Sequence, residues 1–199
     1  MVRTVIVGPT SEWKWLHPVD GVNPADADPD FHETFASPNF DDAGWQSGRD
    51  KAEPGGGFGY GDDWFNGVDI GTPTFVNAGG MTEGKVAYFR HRFTTSTEHR
   101  NLELRCQRDD GIIVYLDGKE VARDNMHAGK EAYLLPATAT VGPNMRLKER
   151  TTYSFPLKGI TLPPGEHTLA ISVHNTKSRS SDLRIGGITL VEVETPNSK

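Results

Sequence analysis

From residue 86 onward, the chain consists of short segments in which apolar and polar side chains alternate. In Val86–Thr94, Phe89 and Phe93 fall on one face, and Arg90 and Arg92 fall on the other. A period of two residues is the geometry of a β-strand, whose successive side chains point to opposite faces of a sheet. This pattern predicts a chain built from β-strands, each with one face directed to a core.

Asp117 and Gly118 are typical of a type I′ turn, because both tolerate positive φ, and they predict a hairpin between the strands on either side. Strands at such short and regular spacing indicate an all-β antiparallel sandwich with a single core. The strands expected after Val86–Thr94 are Leu102–Gln107, Ile112–Leu116, Glu120–Arg123, Thr151–Leu157, His167–His174 and Ile188–Glu194.

The first 80 residues are less regular than the rest of the chain. Trp13–Leu16 is predicted to be a first strand, and Ser37–Trp45 is predicted to be a short helical turn capped by its serine. Phe40 and Trp45 are then expected to pack against the sandwich. Two stretches with little periodicity are expected to be long loops, 20–36 and 53–80.

A chain of 199 residues suits one large β-sandwich, so we expect a single domain with its core at about residues 12–195. The single cysteine, Cys106, cannot form an intrachain disulfide and is interpreted as a small buried apolar side chain. No stretch approaches the roughly 20 apolar residues of a membrane span. The start MVRTVIVGPT has too few apolar residues for a signal peptide, so we interpret Met1 as the start of a piece of a secreted or cell-surface protein.

The distribution of charge argues against a nucleic-acid partner. The net charge is -6, and the first 80 residues carry 13 acidic and 4 basic side chains. The remaining residues mix both signs, which is typical of a soluble surface rather than of a basic nucleic-acid footprint. Neither nucleic-acid binding nor membrane insertion is expected.

Five motifs in a fixed order resemble a known family of domains. They are an early Trp, FDDAGW at 40–45, YFRHRF at 88–93, DDGIIVYLDG at 109–118, and a late strand ending in VHN before Ser-Ser-Asp. Over about residues 12–190, the chain resembles the galactose-binding-like jelly-roll modules appended to large secreted bacterial proteins and hydrolases. Its front half is similar to the sugar-binding jelly-roll domain at the start of family 2 glycosidases, which carries F-D-D-x-x-W.

The resemblance implies a jelly roll of eight or nine strands with an accessory role, either carbohydrate binding or packing beside a catalytic domain. Some members of this family carry a structural calcium ion, so the resemblance also implies that this chain could hold one. The loop Asp20–Glu33 is longer and more acidic than the family pattern, and the glycine-rich stretch 53–80 also departs from it. Ligand specificity is expected to differ at these two places.

The glycine-rich segment GGGFGYGDDWF at 55–65 is a candidate sugar platform. An exposed Tyr60 or Trp64 can stack on the apolar face of a pyranose, and Asp62 and Asp63 can accept hydrogen bonds from its hydroxyls. The segment lacks the Lys-Ser/Thr of a phosphate-binding loop and does not open a helix after a strand, which argues against nucleotide binding. The alternative is a loop folded over the core with its aromatic side chains buried.

The acidic segment at 26–30 spaces three carboxylates two residues apart, a density of oxygen ligands that suits a hard cation such as calcium. Asp26, Asp28 and Asp30, with Glu192 from the last strand, are therefore a candidate calcium site. The Gly and Glu that an EF-hand loop requires at its sixth and twelfth positions are absent. The alternative is a solvated acidic loop, and no other cofactor is expected.

A second set of candidate sugar-binding residues lies near the ends of the predicted strands. Arg108 and Asp109 precede the hairpin, and His174, Asn175 and Asp182 follow a later strand and are expected to meet at a loop tip. Their polar groups can bind sugar hydroxyls. The alternative is that these residues make turns and caps and bind no ligand.

No sequence motif favours catalysis. Asp109 and Asp110 would have to flank one glycosidic bond to act as acid and base, but neighbours on one strand point to opposite faces. The sequence has no nucleophile elbow and no zinc-binding histidine motif. The leading hypothesis is a monomeric, non-catalytic carbohydrate-binding module whose partners are poly- or oligosaccharides and other domains of a parent protein.

The competing hypothesis is a structural or adhesion domain that contacts proteins, with or without calcium, and binds no sugar. An exposed tryptophan in a cleft would favour sugar binding. Four buried tryptophans beside a flat apolar patch would favour a protein interface.

Overall fold

The computed structural model describes residues 3–51, 56–61, 66–74, 86–131, 135–139, 150–176 and 182–194. These residues form twelve β-strands, a 3-10 turn at Pro24–Asp26 and a short helix, α1, at Phe31–Thr34. Neither described helix is long and apolar enough to cross a membrane. The strands are β1 (Arg3–Val7), β2 (Glu12–Leu16), β3 (Gln46–Arg49), β4 (Phe58–Tyr60), β5 (Val68–Asp69), β6 (Val86–Thr95), β7 (Leu102–Asp109), β8 (Gly111–Leu116), β9 (Lys119–Asp124), β10 (Tyr153–Pro156), β11 (Gly165–His174) and β12 (Leu183–Val193).

The described strands form two sheets of six. The first has the order β10-β7-β12-β4-β5, with β1 paired to the second half of β12. The second has the order β3-β2-β6-β11-β8-β9. Among the described pairs, β4 and β5 are parallel and the others are antiparallel. The predicted antiparallel β-sandwich is confirmed, with more strands than expected, because β3, β4 and β5 are too short or too polar to show alternation.

The main core lies between the two sheets, as the alternation predicted. Trp13 and Trp15 of β2, Phe89 of β6 and Leu104 of β7 are all buried there. Each fully buried side chain of this kind stabilises the fold by about 1.5–3 kcal/mol. Cys106 is also fully buried in this core, and burial raises the pKa of its thiol to about 12, which agrees with its interpretation as an apolar side chain.

A second apolar cluster covers the outer face of the second sheet. Tyr88 and Tyr115 of that sheet pack there with Phe31 of α1, and Phe40 and Trp45 lie against them as predicted. The helical turn predicted at 37–45 is wrong, because this stretch forms separate turns. The side chain of Asp41 accepts a hydrogen bond from the amide of Ala43 at 2.9 Å, and such local bonds compete with helix formation.

The predicted hairpin is confirmed. β8 and β9 are joined by Asp117 and Gly118, whose φ angles are 51° and 81°. Both carboxylate oxygens of Asp117 are also engaged, one by the amide of Thr168 and one by the ring of His167, each at 2.7 Å. The turn is therefore tied to β11 as well as formed by local residues.

Candidate binding site at the strand ends

Several strand ends meet at one end of the sandwich. Leu183 pairs with Tyr60, Arg184 pairs with Asp109, and His174 pairs with Gly111. These pairings bring segments that are far apart in sequence into one place. They gather six residues, named here the strand-end cluster: Tyr60, Arg108, Asp109, Asp110, Asn175 and Asp182.

The side chains of the strand-end cluster are buried. Tyr60 is only 3% exposed, its ring stacks on His17 with 5.2 Å between centroids, and its hydroxyl accepts a hydrogen bond from Asn175 Nδ2 at 3.3 Å. The expectation of an exposed Tyr60 that stacks on a sugar is therefore wrong, because its face is covered by His17. Asp62, Asp63 and Trp64, predicted to act with it, lie outside the described residues.

Arg108 is held by protein contacts. Its Nε donates to Asp124 Oδ2 at 2.8 Å, and its guanidinium lies 4.4 Å from the ring centroid of Tyr153. The structure places Arg108 between the sheets, where it links β7 to β9 and β10. Its predicted role as a sugar contact is not supported by this buried position.

Asp109 and Asp110 form the connection between the two sheets. Asp109 ends β7 in the first sheet, Asp110 lies between strands, and Gly111 begins β8 in the second sheet. The assumption that both aspartates lie on one strand is therefore wrong. Asp109 is 4% exposed, Asp110 is 2% exposed and Asp182 is 8% exposed, so this end of the sandwich holds three buried carboxylates.

His174 does not face the strand-end cluster, although its sequence position predicted that it would meet Asn175 and Asp182 at a loop tip. Its ring is fully buried on the outer side of the second sheet, with Nδ1 2.8 Å from the Leu135 carbonyl oxygen. Asn175 contacts Tyr60 on the inner side. Asn175 directly follows the end of β11 at His174, and the two side chains contact opposite sides of the second sheet, so they do not serve one site.

His174, Ser172 and Glu131 form a buried polar group. Nε2 of His174 lies 2.9 Å from Ser172 Oγ, which donates to Glu131 Oε2 at 2.7 Å. The same carboxylate oxygen lies 3.2 Å from Nε2. In a catalytic triad the acid contacts the ring nitrogen that the serine does not. This group therefore lacks triad geometry, and it anchors the segment around Glu131 to β11.

The predicted calcium ligands do not meet. Asp26, Asp28 and Asp30 are exposed, whereas Glu192 accepts hydrogen bonds from the Arg100 amide and from His99 Nδ1, each at 2.9 Å. Within the described part of the chain, no group of three or more His, Cys, Asp or Glu side chains could hold a metal ion. The candidate site as composed does not fit calcium, and calcium binding elsewhere stays a prediction.

The FDDAGW and YFRHRF motifs meet in one ion cluster around the buried side chains of Asp42 and Arg90. Asp42 accepts hydrogen bonds from Lys14 at 2.9 Å, and from Arg90 and Arg92 at 2.8 Å each. Burial acts to raise the pKa of Asp42, but the three cationic donors outweigh it and lower that pKa to about 2. Arg90 also lies 5.3 Å from the ring centroid of Phe40. These contacts therefore join the segment around Phe40–Trp45 to β2 and β6 of the second sheet.

A cavity of about 460 Å³ lies at the opposite end of β7 and β12 from the strand-end cluster. Its lining combines polar residues with the aliphatic side chains of Leu102, Leu157, Ile160 and Val193. The volume suits a small ligand. The lining has no aromatic ring among the described residues, so it offers no surface for stacking a pyranose.

The exposure of the four tryptophans was expected to distinguish sugar binding from a protein interface, and the described residues fit neither expectation fully. Trp13 and Trp15 are buried, Trp45 is half-buried, and Trp64 lies outside the described residues. The exposed large apolar side chains among the described residues are Val5 and Val22, which are too few for a flat apolar patch. This favours neither a stacked sugar nor a broad apolar protein interface.

One buried histidine and two half-buried histidines predict a loss of stability in mild acid. Burial lowers the pKa values of His17, His32 and His91 below 6.5. Their contribution is fully present above about pH 6.5 and is lost as pH falls, because the unfolded chain then binds protons that the folded chain does not. We expect Tm to fall between pH 7.5 and 5.5 in scanning calorimetry, by roughly 2–4 °C for each kcal/mol lost.

The variant His17→Gln supplies the control, since it removes one of the three groups. Its own Tm at pH 7.5 sets the baseline, and its decrease on acidification should be smaller than that of the unmodified chain. An equal decrease in both proteins would contradict the assignment to His17.

No protein-family model and no curated protein matches the chain. Among solved structures it is similar to a beta-glucuronidase of an uncultured Clostridium sp., with 12% identity over 97% of this chain and 29% of that chain, at a TM-score of 0.49. It is also similar to a calcium-binding mutant of beta-glucuronidase 2 from Bacteroides uniformis (16% identity, 96% and 18% coverage, TM-score 0.47). A third is a glycosyl hydrolase family 2 member from Bacteroides cellulosilyticus (12% identity, 96% and 20% coverage, TM-score 0.49). Nearly the whole chain therefore aligns with less than a third of each of these structures.

Proposed function

We propose that this chain is a non-catalytic carbohydrate-binding β-sandwich domain of a larger secreted or cell-surface protein. Its ligand would be a poly- or oligosaccharide, bound at the end of the sandwich that holds the strand-end cluster. The observation that supports this most is the pairing of Leu183 with Tyr60 and of Arg184 with Asp109. These pairs place polar residues from distant segments side by side at one end of the sandwich.

In this proposal, the buried cluster is a rigid base, and the sugar is bound by side chains of the residues that come after Tyr60 in sequence. Asp62, Asp63 and Trp64 lie two to four residues after the cluster residue Tyr60 in sequence. Carboxylates can accept hydrogen bonds from sugar hydroxyls, and an indole can stack on a pyranose face. Contacts of this kind are individually modest, so we expect an affinity between micromolar and millimolar, raised by multivalent display on a parent protein.

A non-catalytic role is supported by the geometry of the polar groups. Ser172 is fully buried, and Glu131 and Ser172 contact the same nitrogen of His174. Asp110 Oδ2 accepts hydrogen bonds from Thr176, which gives this carboxylate a structural function. We therefore assign catalysis in any parent protein to another domain.

The test is isothermal titration calorimetry with soluble galactan, xylan, mannan, β-glucan and pectin. Binding of at least one polysaccharide is expected, and Trp64→Ala should weaken it about tenfold, which corresponds to the loss of a ring contact of about 1.4 kcal/mol. Trp45→Ala is the matched control, because Trp45 packs on the outer face of the second sheet. It should lower Tm and leave the affinity unchanged.

No heat with any polysaccharide at millimolar sugar would overturn the proposal. Each titration is repeated with calcium and with EDTA. A Tm and an affinity that are the same in both buffers would remove calcium from the account without affecting the sugar-binding proposal.

A further inference from the structure

Asp110 makes hydrogen bonds to more strands than a residue that only caps a turn would make. Its amide donates to the carbonyl of His174 at 3.3 Å, and its own carbonyl accepts a hydrogen bond from Asn125 Nδ2 at 3.1 Å. The same carbonyl accepts a hydrogen bond from Arg108 Nη1. The backbone of Asp110 is therefore held by β7, by β11 and by the end of β9.

The side chain of Asp110 makes a second set of contacts. Its Oδ2 accepts both the amide N–H of Thr176, at 3.0 Å, and the Oγ1–H of the same residue, at 2.9 Å. Hydrogen bonds to a buried carboxylate are stronger than those between neutral groups. Since Asp110 is 2% exposed, water competes little for these bonds.

Thr176 lies in sequence between two residues of the strand-end cluster. It directly follows Asn175 of the strand-end cluster, and six residues later Asp182 of the same cluster precedes β12. The position of Thr176 therefore affects the position of the adjacent Asn175, whose Nδ2 donates to the Tyr60 hydroxyl. Of the described residues, Asp110 is the one whose carboxylate holds both hydrogen-bonding groups of Thr176.

We propose that Asp110 is a positioning residue, which fixes Thr176 and, through Asn175 and its hydrogen bond to Tyr60, sets the affinity of the domain for sugar. Asp110 need not touch the sugar in this account. The part that concerns affinity rests on the proposed function. The part that concerns the position of Thr176 stands on the contacts of Asp110 alone.

Two variants separate the side-chain contacts. Asp110→Asn removes the charge that strengthens both bonds, and Thr176→Val removes the hydroxyl while leaving the amide. Amide hydrogen exchange at residue 176 should become about tenfold faster in the first variant and about threefold faster in the second, and the affinity for the best-binding polysaccharide of the panel should fall by similar factors. Thr176→Ser, which keeps the hydroxyl, should restore both.

The control is Asp41→Asn, since Asp41 also accepts a backbone N–H, from Ala43, but is exposed and lies outside the strand-end cluster. It should change neither exchange at Thr176 nor affinity. If Asp110→Asn does not fold, the Thr176 pair alone decides the question.

The outcomes distinguish the two proposals. Unchanged exchange at residue 176 in the folded variants would overturn the positioning role. Faster exchange with unchanged affinity would overturn the link to sugar binding. If no polysaccharide binds the unmodified domain, the proposed function fails, and exchange at Thr176 still decides whether Asp110 positions it.

Discussion

Replacing Asp42 by alanine is expected to destabilise the domain by about 3–5 kcal/mol, the usual result of leaving a buried cation without its partner. The side chain of Arg90 is 0% exposed and loses the carboxylate that accepts its Nε–H at 2.8 Å. Lys14 and Arg92 lose the same acceptor. Urea denaturation monitored by tryptophan fluorescence measures the change.

The neighbouring Asp41→Ala provides the comparison for this variant. Asp41 is exposed and caps only the amide of Ala43, so a loss of about 1 kcal/mol or less is expected. Equal losses for the two variants would contradict the assignment of the ion cluster to Asp42.

The pH dependence of the stability adds a further check on Asp42. Because the pKa of Asp42 falls from 3.8 to about 2, its contribution is fully present above about pH 4 and is lost as pH falls toward 2.

Gly59→Ala is expected to destabilise the domain by about 3 kcal/mol, at the upper end of the cost of overpacking. A Cβ atom at this position would lie 2.3 Å from the carbonyl oxygen of Leu183. The obstacle is backbone, so β4 would have to move away from β12. That movement would displace Tyr60, the next residue, from the strand-end cluster. Thermal unfolding measures the loss, and Gly44→Ala is the matched control because nothing lies within 4 Å of its added Cβ atom.

Gly59→Ala also bears on the candidate site. If the sugar is bound beside the strand-end cluster, the folded fraction of this variant should bind the best polysaccharide of the panel more weakly. Gly44→Ala should bind it as the unmodified domain does. A stable Gly59→Ala variant with unchanged affinity would argue that the pairing of β4 and β12 does not support the site.

Most of the longer strands were predicted within a few residues because their alternation is local, but β12 begins at Leu183, five residues before the predicted Ile188. β6 and β8 follow the predicted segments closely, and Asp117 and Gly118 form the turn that their tolerance of positive φ indicated. β1, β3, β4 and β5 were missed. In β1 three successive residues are exposed, and in β3 all side chains are polar or glycine. A strand of this kind is stabilised by its neighbour, so its own sequence shows no alternation of apolar and polar residues.

The candidate site was predicted in part. The sequence indicated that Asn175 and Asp182 would meet at a loop tip, whereas their place beside Tyr60 and Asp109 follows only from strand pairing. Its environment was not predicted, because the hydrogen bond from Asn175 to Tyr60 joins residues 115 positions apart. No local pattern encodes such a contact. His17 was missed for the same reason, since only the folded chain stacks its ring on Tyr60.

By itself, the sequence determined the period of the strands, the turn at Asp117 and the buried character of Cys106, because each depends on the residue and its immediate neighbours. The tertiary structure decided which polar groups lie inside. It buries Asp42 among three cations and directs Asp110 to Thr176. The free energy of a buried charge depends on partners brought from distant segments, and those partners exist only once the two sheets have packed.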